Sequence, residues 1–522
     1  LLSLALVLST VAMAWALLFW SIPAQNFPLG DDWAFSRGTF WWAAGKGIHY
    51  SNWAAMPQLG QWLWALPFVL ALGPNHVVLR LSTVLVSWLG LGSFHSLLCR
   101  AGMTPGRAAF ATATLAFNPL FFLLGGTFMT DVPALSFALV ALNGYSRALV
   151  RKNIALFVGA TVVAVLAALT RQSAVTAALT GAVLLATCPD LRRQVPWWVL
   201  VSVPILAGVA GHFWLQSRAD IVTYRPPWIG VEPCFREIFA MWHWAGLSAI
   251  PILLFRPNLG REHWFAAVLM LMLCGTAYFW HVENGYFDRL FPYSQGVLGV
   301  CGPFASNIQV GDCPVFMDLP VRIVLSVLGC LGGAALAGRL AAMTSVKALP
   351  VPLLVFGALQ IPLIFLGFGP YDRYFLPIIP VALAIADFAP ERSKNRWLQG
   401  LAGMLVLAVL SIGLMHDWLS WNQARWTLGQ RALAQGWKPP EIDGGMEWNG
   451  WYSPEPRPQA FEGQHRLWLA FTAHRFPHVL GRVALSFSPI PGTRILDQQS
   501  YSLWLLARNG HFYLLEPPAL VP

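Results

Sequence analysis

The sequence predicts an all-α polytopic membrane protein of about 11–13 transmembrane helices, followed by a small soluble α/β or β domain. Three observations predict it. Of the 522 residues, 57% are hydrophobic and 11% charged, with a mean hydropathy of +0.57, which is too apolar for a soluble domain. The basic residues are dispersed in short clusters between long apolar runs. After residue 415 the texture changes to polar, Pro- and Gly-bearing sequence with short strand-like runs.

Composition also excludes function classes. The net charge is +10, yet no Lys/Arg run of the kind that binds nucleic acid is present. Seven cysteines without a CxxC pair argue against a thiol-redox or zinc module. The 26 tryptophans suit interfacial belts. Leu1–Ile22 reads as a retained first span rather than a cleaved signal, because it is apolar for too long and lacks an A-x-A site.

The spans are expected at Leu4–Trp20, Val77–Cys99, Ala108–Leu124, Phe128–Tyr145, Ile154–Thr170, Ser173–Thr187 and Trp197–Leu215. Six more follow at Ile238–Phe255, Trp264–His281, Val321–Ala342, Pro352–Phe368, Phe375–Phe388 and Trp397–Met415. The first outer loop covers about 23–76, and in it Gln61–Gly73 is too short to cross comfortably and reads as interfacial or re-entrant. With the first span starting inside, the basic clusters at 100–107, 147–152, 192–193, 256–261, 339–347 and 392–396 all fall on one side. The positive-inside rule makes that side cytoplasmic. The chain then divides into a membrane domain, 1–415, and an extracytoplasmic C-terminal domain, 416–522, where Arg508-Asn509-Gly510 signals a hairpin turn. Cys301 and Cys313 lie in an outer loop, free or paired.

Charges at the outer ends of spans carry the chemistry, because an ionised group near hydrocarbon is expensive. Asp31 and Asp32 follow the first span in Leu29-Gly30-Asp31-Asp32-Trp33-Ala34-Phe35-Ser36-Arg37-Gly38. Their bland reading is helix capping. Arg80 opens the second span, Asp131 heads the fourth, Arg171 sits in a tight outer turn, Asp288-Arg289 lies in the loop near 300, and Asp372-Arg373-Tyr374 precedes the twelfth. Outer arginines run against the charge bias, and guanidinium groups are the donors a lipid-linked phosphate requires. Carboxylates beside them could take a proton from an attacking hydroxyl or amine. His49, His76, His243 and His281 are scattered, so no metal site is indicated.

These residues resemble a family. Gly30-Asp31-Asp32 resembles the acidic motif in the first outer loop of class C (GT-C) glycosyltransferases, in the branch of the protein O-mannosyltransferases and bacterial aminoarabinose transferases. Met56-Pro57-Gln58-Leu59, Arg80-Leu81-Ser82-Thr83, Phe128-Met129-Thr130-Asp131-Val132-Pro133, Leu169-Thr170-Arg171-Gln172 and Asp372-Arg373-Tyr374-Phe375-Leu376-Pro377 are similar to further segments of that branch, in its order. The resemblance implies inverting transfer of a sugar from a polyprenyl-phosphate donor to an acceptor lipid, glycan or protein. The reaction would lie on the outer face of a bacterial inner membrane and need no cofactor. It implies Asp31 as base, aided by Asp32, with Asp131 positioning a substrate and Arg80, Arg171, Arg373, Arg289 and Tyr374 at the lipid phosphate. The alternative reading is a transporter or flippase of a lipid-linked or anionic substrate, although no internal repeat is visible. A polysaccharide polymerase or ligase would share the carrier but not call for the paired acidic sites.

Overall fold

The computed structural model describes residues 2–23, 25–54, 56–193, 210, 231–256, 268, 272, 275, 290–293, 296–304, 309–342, 350–364, 371–387, 396–453, 476 and 478–517. The described chain is mainly helical, with small sheets in its later part. Its first half forms α1 (Leu2–Ser21), α2 (Asp32–Ala43), α3 (Leu59–Leu72), α4 (His76–Arg100), α5 (Pro105–Ala116), α6 (Pro119–Gly125), α7 (Asp131–Arg151), α8 (Ile154–Thr170) and α9 (Val175–Ala186). Local chemistry places several starts. Asn75 accepts the Val77 N–H at 2.8 Å and Asn153 the Leu156 N–H at 3.1 Å, each satisfying a donor that the first turn leaves orphaned.

The expected single span Ala108–Leu124 is instead a broken one. Asn118-Pro119 interrupts it and α5 and α6 meet at 65°, because Pro disfavours helix at the residue before it and supplies no N–H of its own. The following helix starts at Asp131, not Phe128, so Phe128–Thr130 form its entry and Asp131 stands in its first turn.

The second half forms α10 (Val231–Phe255), α11 (Leu319–Ala341), α12 (Val351–Ile364), α13 (Ile379–Asp387), α14 (Trp397–Ala434) and α15 (Met446–Tyr452). Among the described residues five helices, α1, α4, α10, α11 and α14, are long and apolar enough to cross a membrane, or six if α5 and α6 are one span. The sequence expectation of about thirteen crossings meets shorter helices: α8 has 17 residues and α9 has 12. At 1.5 Å per residue these reach ~26 and ~18 Å, less than a bilayer core of ~30 Å. The expected spans Trp197–Leu215 and Trp264–His281 lie essentially outside the described residues.

Basic clusters far apart in sequence converge at one end of the helices. Arg107 pairs with the Asp387 carboxylate, and Arg256 donates to the Asp387 carbonyl at 2.9 Å. Arg339 donates to the Arg256 carbonyl, and the Arg396 N–H to that of Phe255 at 2.8 Å. That gathering agrees with the one-sided charge pattern.

Helix α14 is 38 residues long, ~57 Å, and runs unbroken through 415–416. Exposed Leu398, Leu401, Leu405, Val406 and Val409 mark its lower half, whereas from Ser411 upward it is largely buried under the C-terminal segments. Those segments supply β3 (Ile442–Asp443), β4 (Val483–Ser486), β5 (Arg494–Leu503) and β6 (Arg508–Glu516), in sheet order β3-β4-β6-β5, with β3 parallel to β4 and the rest antiparallel. The expected hairpin forms, but its turn is Trp504–Ala507. Leu503 pairs with Arg508, so Asn509-Gly510 belong to the strand. Gly510 is required there by packing, since a Cβ would run into the Tyr501 ring. A short two-residue ladder between β1 (Leu298–Gly299) and β2 (Gly302–Pro303) precedes α11, and Cys301 and Cys313 beside it are disulfide-bonded.

Candidate active site

The acidic stretch turns sharply before α2. Gly30 holds φ +60°, a left-handed conformation that other residues enter at a cost. Asp31 occupies the N-cap position of α2 yet makes no side-chain cap bond. Its Oδ1 instead accepts the Trp53 indole N–H at 2.9 Å, and its Oδ2 pairs with Arg373 Nη1 at 3.2 Å. Simple capping therefore does not account for Asp31. Asp32 points the other way, into the fold, where it accepts the Phe128 N–H at 2.8 Å and the Leu29 N–H at 3.4 Å. It is 1% exposed. Burial pushes its carboxyl up to about 7, against the pull of the Phe128 N–H and of Arg80. Through Asp32 the first acidic motif is bonded to the entry of the second.

That second motif begins α7. Asp131 Oδ1 pairs with Arg171 Nη1 at 2.9 Å, and the same nitrogen donates to Thr130 Oγ1 at 3.2 Å. A carboxylate in a first helical turn also faces the positive end of the helix dipole. Arg171 caps the end of α8 from extended backbone, φ −150°, so its side chain leaves the helix and reaches back over α7. Met56 Sδ lies 3.8 Å from Arg171 Nη1 and 3.4 Å from Thr130 Oγ1. This brings the Met56-Pro57-Gln58-Leu59 segment to the same place.

The two pairs meet at Tyr374. The Arg171 guanidinium carbon lies 5.1 Å from the Tyr374 ring centre and that of Arg373 5.7 Å, within reach of cation–π attraction. Burial works against the charged form of Arg373, but Asp131, Asp31 and Tyr374 outweigh it and hold the guanidinium above its ordinary range. Asp372 anchors this segment from behind. It accepts the N–H groups of Val297, Leu298 and Arg373, each at 2.7 Å. Burial raises its carboxyl to about 6 against those three donors. Val297 and Leu298 lead into the loop closed by the Cys301–Cys313 bond, whose Phe304 ring lies 3.5 Å from where a Cβ on Gly30 would stand.

Of the expected residues, Asp31, Asp131, Arg171, Arg373 and Tyr374 thus form one cluster, while Asp32 supports it from within the fold. Arg80 is elsewhere occupied. It is 1% exposed, donates to the carbonyls of Gln25 (2.7 Å) and Phe27, and lies over the Phe27 ring. Arg289 lies outside the described residues.

Sequence reasoning missed the groups that fix the acidic stretch from the far end of the chain. Glu447 Oε1 accepts the Gly30 N–H at 3.1 Å, while its Oε2 pairs with Arg425 at 2.9 Å, both side chains fully buried. Arg37 donates to the carbonyls of Gly450, Trp451 and Ser453. A buried ion pair marks such a tie, but sequence alone does not show which acid meets which base. Trp53 was equally silent, since a tryptophan in a Trp-rich loop reads first as an interfacial anchor.

The cluster is balanced, with two carboxylates against two guanidiniums. Each sp² oxygen of Asp31 carries one contact and keeps a second lone pair for a proton donor. Each guanidinium has donors beyond its carboxylate bond, so an incoming phosphate can bind by competing with, or displacing, a carboxylate.

No protein-family model matches this chain, and no curated protein matches it. Two solved structures of ArnT from Cupriavidus metallidurans are similar to it. The apo form covers 97% of this chain and 96% of its own at 13% identity and TM-score 0.43. The form bound to undecaprenyl phosphate covers 98% of each at 14% identity and TM-score 0.41.

Proposed function

We propose that this chain is an inverting GT-C-type glycosyltransferase that moves a sugar from a polyprenyl-phosphate donor to an acceptor at the extracytoplasmic face of a bacterial inner membrane. One observation carries the reading. Motifs spread from residue 31 to 374 converge on a cluster in which two carboxylate–guanidinium pairs flank Tyr374.

Asp31 acts as the general base. The acceptor O–H or N–H proton passes to an Asp31 oxygen as the nucleophile attacks the anomeric carbon. The bond from that carbon to the phosphate oxygen breaks, and its electron pair leaves with the polyprenyl phosphate. Arg373 and Arg171 stabilise the charge that develops on the leaving phosphate, the electrostatic contribution that is usually largest in such sites. As Arg373 turns toward the phosphate, its hold on Asp31 loosens and the carboxylate is freed for the proton. Asp131 holds Arg171 and positions a substrate. Asp32 and Arg80 are positioning residues, bracing the acidic loop through backbone groups rather than touching substrate. The cytoplasmic side is assigned from the basic clusters, and the C-terminal segments lie on the opposite face.

The test uses the full chain in lipid vesicles with a panel of labelled undecaprenyl-phosphate sugars, scoring free polyprenyl phosphate. Release by the wild type, abolished in Asp31→Asn with carrier binding retained, supports the reading. Translocation of substrate across vesicles by both proteins, with no sugar released, overturns it in favour of transport.

A further inference from the structure

The β5–β6 turn breaks the usual rule for turn composition. Gly, Asn, Asp, Pro and Ser dominate such positions, whereas this turn is Trp504-Leu505-Leu506-Ala507, with Trp504 42% exposed. Apolar side chains at a loop tip need an apolar neighbour.

The position of the tip on α14 says which. Asp417 accepts the Trp504 N–H at 2.6 Å and the Leu505 N–H at 3.2 Å. The Trp504 ring stacks on His416 with centres 3.6 Å apart. Leu505 lies against Gly413, where a Cβ would strike its side chain. The tip is therefore clamped to α14 at one level, residues 413–417. Along α14, Leu398, Leu405, Val409 and His416 fall within ~20° of a single line at 3.6 residues per turn. The first three are exposed apolar residues in the lower half of the helix. The run of exposed large apolar residues on α14 ends at Val409, and Trp504 stands on the same line about two turns, ~10 Å, above it. From Trp397, 44% exposed at the other end, to His416 is ~28 Å, close to the ~30 Å of a hydrocarbon core. Two exposed tryptophans thus bracket one lipid-facing stripe, the arrangement of interfacial aromatic belts. Arg508, exposed just past the tip, adds a cation at headgroup level.

We propose that the Trp504–Ala507 turn inserts into the outer-leaflet interface, continuing the lipid-facing surface of α14, and seats the C-terminal sheet on the membrane. Lipid is the one occupant continuous with that surface.

The experiment places single cysteines at Leu506 or Ala507 in the full chain, in a background where the cysteines other than Cys301 and Cys313 are replaced, labels them with a polarity-sensitive fluorophore and reconstitutes the protein in phospholipid vesicles. Gln435→Cys, exposed at the C-cap of α14 some nineteen residues (~28 Å) above His416, is the aqueous control. The expected result at either tip position is blue-shifted emission, quenching by a shallow lipid nitroxide, and iodide quenching at least about threefold weaker than at the control. Two outcomes overturn the proposal. One is iodide quenching equal to the control at both tip positions. The other is shielding from iodide without lipid-nitroxide quenching, which assigns the tip to a protein contact.

Discussion

Asp31 and Arg373 stand 342 positions apart and are joined by an ion pair of 3.2 Å, with the Arg373 guanidinium also lying 5.3 Å from the ring of Tyr371 and 5.7 Å from that of Tyr374. Each partner is held by other means as well, Asp31 by Trp53 and the Arg373 backbone by Asp372. The pair can therefore open toward a substrate without the site collapsing.

On the proposed function, Asp31→Asn removes the base while keeping the volume. Sugar release from the carrier should fall by about 10²–10⁴, the usual contribution of general-base catalysis, with carrier affinity changed little. Single-turnover release and equilibrium carrier binding, measured side by side, separate the two. Equal loss of both would place Asp31 in binding rather than in proton transfer.

Arg171 and Arg373 are not replaceable by lysine on this reading, because an ammonium lacks the planar fork that can hold a carboxylate and a phosphate together. Arg373→Lys should lower transfer by about tenfold or more and also weaken binding of free polyprenyl phosphate. Retention of full activity would show that point charge alone suffices.

The Glu447–Arg425 pair is fully buried, and its free oxygen holds Gly30. Glu447→Ala strands the Arg425 charge and should cost about 3–5 kcal/mol. The double variant Arg425→Met, Glu447→Leu should recover part of that loss in thermal unfolding. Activity should stay low in it, because the Gly30 N–H remains without its acceptor.

Gly30→Ala is a backbone test. A Cβ there would meet nothing closer than 3.5 Å, so space is not the obstacle. The left-handed φ is, at about 1–2 kcal/mol for an L residue. Gly30→Asn should be milder, since asparagine tolerates that region. Equal loss of stability in both would point to packing instead.

Asp32 opens α2, between the spans α1 and α4, and its carboxyl is raised to about 7 by burial. The native state thus holds a proton that the unfolded chain releases near pH 4. Its contribution to stability is present in full below about pH 4, declines as pH rises, and is lost above about 7. Asp372, raised to about 6, acts in the same direction over a narrower window. Asp32→Asn should flatten the fall in melting temperature between pH 4 and 7. A wild-type profile that instead rises over that interval, unchanged by the substitution, would show that Asp32 is ionised in the fold.

The sequence alone determined the membrane class, the placement of most described helices and most of the residues that meet in the candidate site. Those properties follow from local apolar length and from the cost of charge near lipid, both written along the chain. It reached α8 to the residue and missed the break at Asn118-Pro119 only by treating hydropathy as continuous through a proline. Tertiary structure decided the pairing. Which guanidinium meets Asp31, why Asp32 turns inward, why Arg80 serves backbone carbonyls, and how Glu447 reaches Gly30 depend on contacts tens to hundreds of positions apart. The turn at Trp504–Ala507 belongs with them, because its composition contradicts local rules and makes sense only beside the lipid-facing stripe of α14. Hydropathy is a property of a segment, whereas an ion pair is a property of two segments brought together by packing.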